Sequence, residues 1–262
     1  MSEFFSTVVQ GLLQGVTEFL PVSSSAHLAI YQHVTSAKGA GLFFDLILHV
    51  STLCATLVYF RKDIVRLLME FFGGFGSSAV PKAEGWYFGW SVIVGSVPTA
   101  LIGLLVEPLV QSAGTSMRFV GAALLMTSAL LMSLNFIPRG TAKICITIGL
   151  VVGVAQGLAV FPGISRSGAT LAAGLLCGLS AAEAFRFSFL LSLPAIAGAT
   201  LLEMRHAGAL VGLPSGSAAA VAVAFVAGLL SLYVLHRTVI SGKWKIFSFY
   251  CATLGLTALL WL

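Results

Sequence analysis

The sequence predicts an all-α polytopic membrane protein with six transmembrane helices plus two re-entrant helix-loop-helix hairpins, related as an inverted-topology repeat. Three observations carry that prediction. Of 262 residues, 58% are hydrophobic and 9% are charged, where a soluble domain carries roughly 25% charged residues. The mean hydropathy is +1.02. Long apolar stretches recur along the chain, and two of them are interrupted at similar motifs. The composition excludes an ordinary cytosolic enzyme, a nucleic-acid-binding domain and a disordered chain.

The first element, residues 4–34, is apolar but interrupted at Pro21-Val22-Ser23-Ser24-Ser25. A bilayer crossing needs about 20 apolar residues. Uninterrupted stretches of that order lie at roughly 42–60, 87–106 and 118–137, then at 186–204, 218–236 and 246–262. Between the two sets, residues 144–179 are interrupted at Pro162-Gly163-Ile164-Ser165-Arg166-Ser167-Gly168. After each interruption only about 12 apolar residues remain, roughly 18 Å of helix, which is short for a crossing. Both regions are therefore read as hairpins, because non-helical backbone survives at membrane depth only where protein or water covers it. The 28 glycines suit closely packed membrane helices. Cys54, Cys145, Cys177 and Cys251 sit in apolar runs without metal-type spacing and read as small hydrophobes. Met1-Ser2-Glu3 lacks the basic region that opens a signal peptide. The aromatic residues are expected to be mostly lipid-facing or interfacial, with Trp86, Trp90, Trp244 and Trp261 near span ends.

The two interrupted regions resemble each other. Gln14, Gly15, Phe19, Ser23 and Ser25 correspond to Gln156, Gly157, Phe161, Ser165 and Ser167, each 142 positions on. Phe44-Asp45-Leu46-Ile47-Leu48 is echoed by Phe187-Ser188-Phe189-Leu190-Leu191. One membrane domain, 1–262, is thus expected to hold repeats at about 1–137 and 144–262. Three crossings between the hairpins make them enter from opposite sides, with a binding region near the midplane. Arg61, Lys62, Arg66, Lys82, Arg139, Lys143, Arg237, Lys243 and Lys245 fall on one side; Lys38, Arg118 and Arg205 fall on the other. The loops 61–86, 138–143 and 237–245 are then cytoplasmic and both termini outside.

Ionisable groups at membrane depth are few: Glu18, His27, Asp45, His49, Arg166, Glu183, Arg186 and Glu203. Each costs about 2.5–3.5 kcal/mol or more unless paired or hydrated. Glu18 and His27 flank the first break and Arg166 sits in the second. If the breaks meet, a carboxylate, an imidazole and a guanidinium converge with Ser23, Ser24, Ser25, Ser165, Ser167 and Thr170. Helix starts behind Ser and Gly offer backbone N–H groups to an anion, and an Arg fork suits phosphate. The set reads as a phosphate or pyrophosphate cradle. The alternative is that the serines cap helices and an Arg166–Glu18 pair locks the hairpins. Asp45 and His49, four apart, read as an interfacial cap, with a supporting pair or proton path as the alternative. Glu183 and Arg186 read as a structural ion pair. No G-x-x-x-x-G-K-[ST] loop, thiol-phosphatase motif or Pro-Ser-Gly-His loop is present.

Glu18-Phe19-Leu20-Pro21-Val22-Ser23-Ser24-Ser25-Ala26-His27, taken with Phe161-Pro162-Gly163-Ile164-Ser165-Arg166-Ser167-Gly168-Ala169-Thr170, resembles the bacterial undecaprenyl-diphosphate phosphatases of the bacitracin-resistance type. The resemblance runs over nearly the whole chain. It implies hydrolysis of a prenyl diphosphate lipid in the bacterial cytoplasmic membrane, at a site opening outward. It implies a divalent cation, magnesium or else calcium. The family's acidic motif lands on Gln14 and Glu18; many relatives carry Glu at the first position, and an amide is no anionic ligand, so the metal falls to Glu18. Catalytic roles fall to Glu18, Ser24, His27 and Arg166. Substrate contacts fall to Gln14, Ser23, Ser25, Ser165, Ser167, Gly168 and Thr170. The nucleophile is Ser24 activated by His27 or Glu18, His27 itself, or a water. The partners are substrate and membrane lipids. A rival reading is an inverted-repeat transporter or flippase for prenyl phosphates.

Overall fold

The computed structural model describes residues 2–35, 42–76, 82–114, 116–138, 140–206 and 213–262. Lys38 and Arg139, two of the cations that set the expected orientation, lie outside the described residues, and the side chains of Glu203, Arg205 and His206 are not described. The described chain is helical, with one isolated bridge, Ala142 to Leu179. In order the helices are α1 (Glu3–Thr17), α2 (Ser24–Thr35), α3 (Leu42–Tyr59), α4 (Arg61–Gly76), α5 (Glu84–Gly114), α6 (Met117–Ser133), α7 (Ile146–Leu158), α8 (Arg166–Leu176), α9 (Ala181–His206), α10 (Ser217–Ser241) and α11 (Trp244–Trp261). Among them α5, α6, α9, α10 and α11 are long and apolar enough to cross a membrane. A sixth span results if α3 and α4, bent by 73°, count as one.

The expected breaks are present. The chain leaves helical form between Thr17 and Ser24 and again between Leu158 and Arg166. α2 and α8 hold 12 and 11 residues, so neither matches the length of a crossing helix. Each hairpin brings the chain back to the end it came from. Ser6 Oγ lies 3.1 Å from Tyr31 Oη, joining the start of α1 to the end of α2. Ala142 N–H donates to the Gly178 carbonyl at 2.8 Å, joining the approach to α7 with the end of α8.

The start of α1 and the start of α9 lie toward opposite ends of α10. Gly216, before α10, packs on Phe4 of α1. At the other end of α10, His236 stacks on Phe185 near the start of α9 and bonds Tyr59 at the end of α3. The tips meet between them, where Gly163 N–H donates to Ser23 Oγ at 3.1 Å.

Lipid tails are as apolar as leucine, so helices in a membrane associate through close backbone approach and polar contacts more than through apolar burial. α5 and α7 cross where Gly95 meets Gly149 and Gly153; a Cβ on Gly95 would stand 2.5 Å from the Gly149 carbonyl. α6 and α11 are stitched by Ser128 and Ser248, whose hydroxyls each donate to the other's backbone carbonyl at 2.7 and 2.8 Å.

Two expectations need correction. The segment 61–86 is not simply a loop, because α4 fills most of it and α5 begins at Glu84. The cations of α4, Arg61, Lys62 and Arg66, are confined to its first turns, and Val65, Leu68, Met69, Phe72 and Phe75 stay exposed. The segment 237–245 is likewise mostly helical, because α10 runs to Ser241 and α11 starts at Trp244. Most aromatics are at least partly exposed, as expected, while Phe19, Phe60, Phe185, Phe187 and Phe189 are buried together and Trp244 is buried at the start of α11.

Candidate active site

Glu18 caps the C-terminus of α1, its N–H bonded to the Gln14 carbonyl. Its side chain is 4% exposed, a burial that requires partners, and four groups approach it. Arg166, the first residue of α8, pairs with Oε1. Oε2 accepts from Gln14 Nε2 at 2.9 Å and from Ser24 Oγ at 2.7 Å. His49 Nε2 stands 3.9 Å from the same oxygen. One carboxylate therefore ties α1, α2, α3 and α8 together. Arg166 keeps a quarter of its side chain exposed, and a guanidinium carries five N–H donors in a planar fork.

Each tip is locally over-determined. Ser23 has φ 67°, the left-handed region, and among the described residues no other non-glycine has positive φ. Its carbonyl accepts from His27, through the backbone N–H at 3.3 Å and Nδ1 at 2.8 Å. In the second tip Gly163 has φ 99°, and a Cβ there would fall 2.5 Å from Ala123. Ser165 caps α8 by accepting from Gly168 N–H at 3.1 Å. Thr127 on α6 holds this tip from both sides, donating to the Gly163 carbonyl at 2.8 Å and accepting from Ser165 N–H at 3.0 Å.

Of the residues singled out from the sequence, Gln14, Glu18, Ser24 and Arg166 form one contact set. Ser23 and Ser25 are joined at 3.2 Å, as are Ser165 and Ser167. Thr170 donates into its own helix, to the carbonyls of Arg166 and Ser167. His27 does not direct its ring at Glu18: Nδ1 faces the Ser23 carbonyl, and Nε2 lies 2.6 Å from Tyr250 Oη on α11.

The imidazole beside the carboxylate is His49, whose Nδ1 faces the Asp45 carbonyl at 2.8 Å. The pair at 45 and 49 is thus tied through backbone, and its imidazole turns inward to Glu18 instead of capping a helix at the interface. Asp45, His49, Ser25 and Pro162 line a cavity of about 220 Å³ that adjoins both tips. Glu183 and Arg186 pair at 3.0 Å as expected, and Arg186 also reaches Glu84 and Asp63. The sequence reading missed His49's direction, Thr127 and Tyr250. The i, i+4 spacing of Asp45 and His49 was the available signal for the first; the other two are single hydroxyls in apolar helices.

This architecture and site define a class: a multi-pass membrane protein in which two broken helices close over a buried carboxylate–guanidinium pair. The family described as Bacitracin resistance protein BacA matches residues 7–257. Among curated proteins, the chain is 44% identical to an undecaprenyl-diphosphatase of Desulfosudis oleivorans, over 95% of this chain and 94% of that one. It is 36% identical to an undecaprenyl-diphosphatase of Methanosphaera stadtmanae, over 99% and 98%, and 36% identical to one of Korarchaeum cryptofilum, over 98% of each chain. The chain belongs to the bacitracin resistance protein BacA family.

Proposed function

We infer that the protein is an undecaprenyl-diphosphatase. It hydrolyses undecaprenyl diphosphate to undecaprenyl phosphate and inorganic phosphate, which recycles the lipid carrier for peptidoglycan and other envelope polymers and confers bacitracin resistance. The observation that carries this reading is the meeting of two helix breaks on one buried Glu18–Arg166 pair, in a chain similar to undecaprenyl-diphosphatases over nearly its whole length.

The diphosphate lies at the tips, against Arg166 and the serines at the starts of α2 and α8. Charge stabilisation on the transferring phosphoryl dominates such chemistry, and Arg166 supplies it as a planar fork. Ser24 is the nucleophile and Glu18 its base, supported by their 2.7 Å hydrogen bond. Ser24 Oγ attacks the terminal phosphorus, its proton passing through Glu18 to the departing bridging oxygen as undecaprenyl phosphate leaves. Water then attacks the phosphoserine; its proton returns through Glu18 to Ser24 Oγ and inorganic phosphate is released. His27 acts on the turn rather than on phosphorus, because both its ring nitrogens are engaged elsewhere. The prenyl chain runs between helices toward lipid; an apolar hollow of about 240 Å³ beside Ile164, lined by Leu130, Leu158 and Leu176, suits it.

The residues fit a divalent cation, magnesium or calcium. Hard cations take oxygen ligands, and magnesium is commonly held by one or two carboxylates plus substrate phosphates. Glu18 is such a carboxylate, and the adjoining Gln14 Oε1 is a buried oxygen without a protein partner. Among the described residues no group of three or more His, Cys, Asp or Glu forms a metal site by itself, so Glu18 and Gln14 would hold the ion jointly with the diphosphate. When bound, the cation would neutralise phosphate charge.

In the bacterial cytoplasmic membrane, six spans and two re-entrant hairpins form inverted repeats at about 1–137 and 144–262. The matching of partners supports this: α1 packs on α10 as α7 packs on α5, and α6 packs on its own counterpart α11. The end that gathers Arg66, Lys62 and the α10–α11 turn faces the cytoplasm; both termini and the cavity at the start of α3 face outward.

The test is free-phosphate release by detergent-purified protein given undecaprenyl diphosphate with magnesium. Stoichiometric phosphate is expected. None would leave the transporter or flippase reading in its place.

A further inference from the structure

α11 grips the first tip at both shoulders. Cys251 Sγ lies 3.7 Å from the Pro21 carbonyl. Its neighbour Tyr250 lies with its ring parallel to that of His27, at 5° between planes and 5.6 Å between centroids, with its hydroxyl 2.6 Å from Nε2. The direction of these bonds follows from their acceptors. The Ser23 carbonyl can only accept, so His27 Nδ1 carries the hydrogen. A neutral ring in that tautomer presents a bare Nε2, to which the Tyr250 hydroxyl donates.

His27 in turn holds Ser23, whose left-handed backbone a β-substituted residue adopts only when its surroundings compel it. Ser23 Oγ accepts from Gly163 of the other tip, and the next residue, Ser24, donates to Glu18. A continuous chain of contacts thus runs from α11 through His27 and Ser23 to both halves of the site.

We propose that Tyr250 is a positioning residue for the phosphatase reaction: by donating to Nε2 it fixes the plane of His27, whose Nδ1–H holds the Ser23 turn, and so aims Ser24 at Glu18. This rests on the phosphatase reading above. Tyr250→Phe keeps the ring and deletes only the hydroxyl. Its kcat on undecaprenyl diphosphate is expected to fall about tenfold with KM within twofold, because aim is lost and the phosphate contacts remain. In ¹⁵N-histidine-labelled protein, with the His27 signals assigned by comparison with His27→Gln, both enzymes are expected to show the Nδ1–H tautomer, and the bare Nε2 resonance is expected to move downfield in Tyr250→Phe, where it loses its donor. Phe249→Ala, at an exposed neighbouring position, is expected to keep wild-type kcat. Wild-type kcat in Tyr250→Phe, an unmoved Nε2 resonance, or an equal loss in Phe249→Ala would each overturn the proposal. A wild-type protein releasing no phosphate would instead overturn the phosphatase reading, while the Nε2 resonance would still decide whether Tyr250 holds His27.

Discussion

Glu18 illustrates how much one side chain is asked to do. Its carboxylate is buried and meets Arg166, Gln14 and Ser24 at once, and breaking a buried ion pair by removing one partner costs about 3–5 kcal/mol. Arg166→Ala is therefore expected to lower phosphate release by at least about 10³-fold, the scale of an arginine that stabilises phosphoryl transfer. Arg166→Lys should recover only part of it, because an ammonium lacks the planar fork; equal activity in the two enzymes would show that charge alone suffices. Gln14 offers a finer test. Gln14→Glu adds an anionic ligand beside Glu18 and is expected to retain or raise metal-dependent phosphate release. A loss would mean that the 2.9 Å amide bond to Glu18 matters more than the cation.

At the scale of elements, the tips are shaped by residues outside them. Thr127→Val keeps volume and removes a hydroxyl that serves two backbone groups of the second tip. Each buried group left unpaired costs about 1–3 kcal/mol. The thermal midpoint in detergent should drop and phosphate release should fall with it; an unchanged midpoint would deny the hydroxyl its supporting role. The breaks themselves were legible in the sequence, because Pro, Gly and Ser inside an apolar run leave no continuous helix to draw. The Glu18–Arg166 meeting was legible too, since intramembrane charges of opposite sign demand partners. Thr127 and Tyr250 were not, because nothing in a helix periodicity distinguishes a hydroxyl that reaches a strained turn from one that bonds its own helix. His49 was half legible: its spacing from Asp45 stood out, but the partner is the carbonyl of Asp45, and the ring's free edge turns to a residue 31 positions earlier. α4 was read as loop because three cations in its first turns mask a helix whose exposed apolar side suits the membrane surface.

In the whole molecule, the proposed arrangement has hairpins that open at opposite ends and a basic end that faces the cytoplasm. Single cysteines placed at Lys62 and Lys245, in a background with the native cysteines replaced, should react with an impermeant maleimide only in inside-out vesicles. One at Ser2 should react only in right-side-out cells or vesicles. Labelling of all three from one side would break the inverted arrangement and the outward-facing site together. The packing of α1 on α10 and of α7 on α5 supports that arrangement, since α1 leans on a long helix late in the chain and α7 on one early in it.

The union of the two tips in one diphosphate site can be seen in a structure of the protein with a methylene-diphosphonate analogue of undecaprenyl diphosphate, whose P–C–P link cannot be hydrolysed. Phosphonate density is expected within hydrogen-bond distance of Arg166 and Ser24, between Ser23 and Gly163. Density elsewhere, with Glu18 and Arg166 still paired and untouched, would contradict that union.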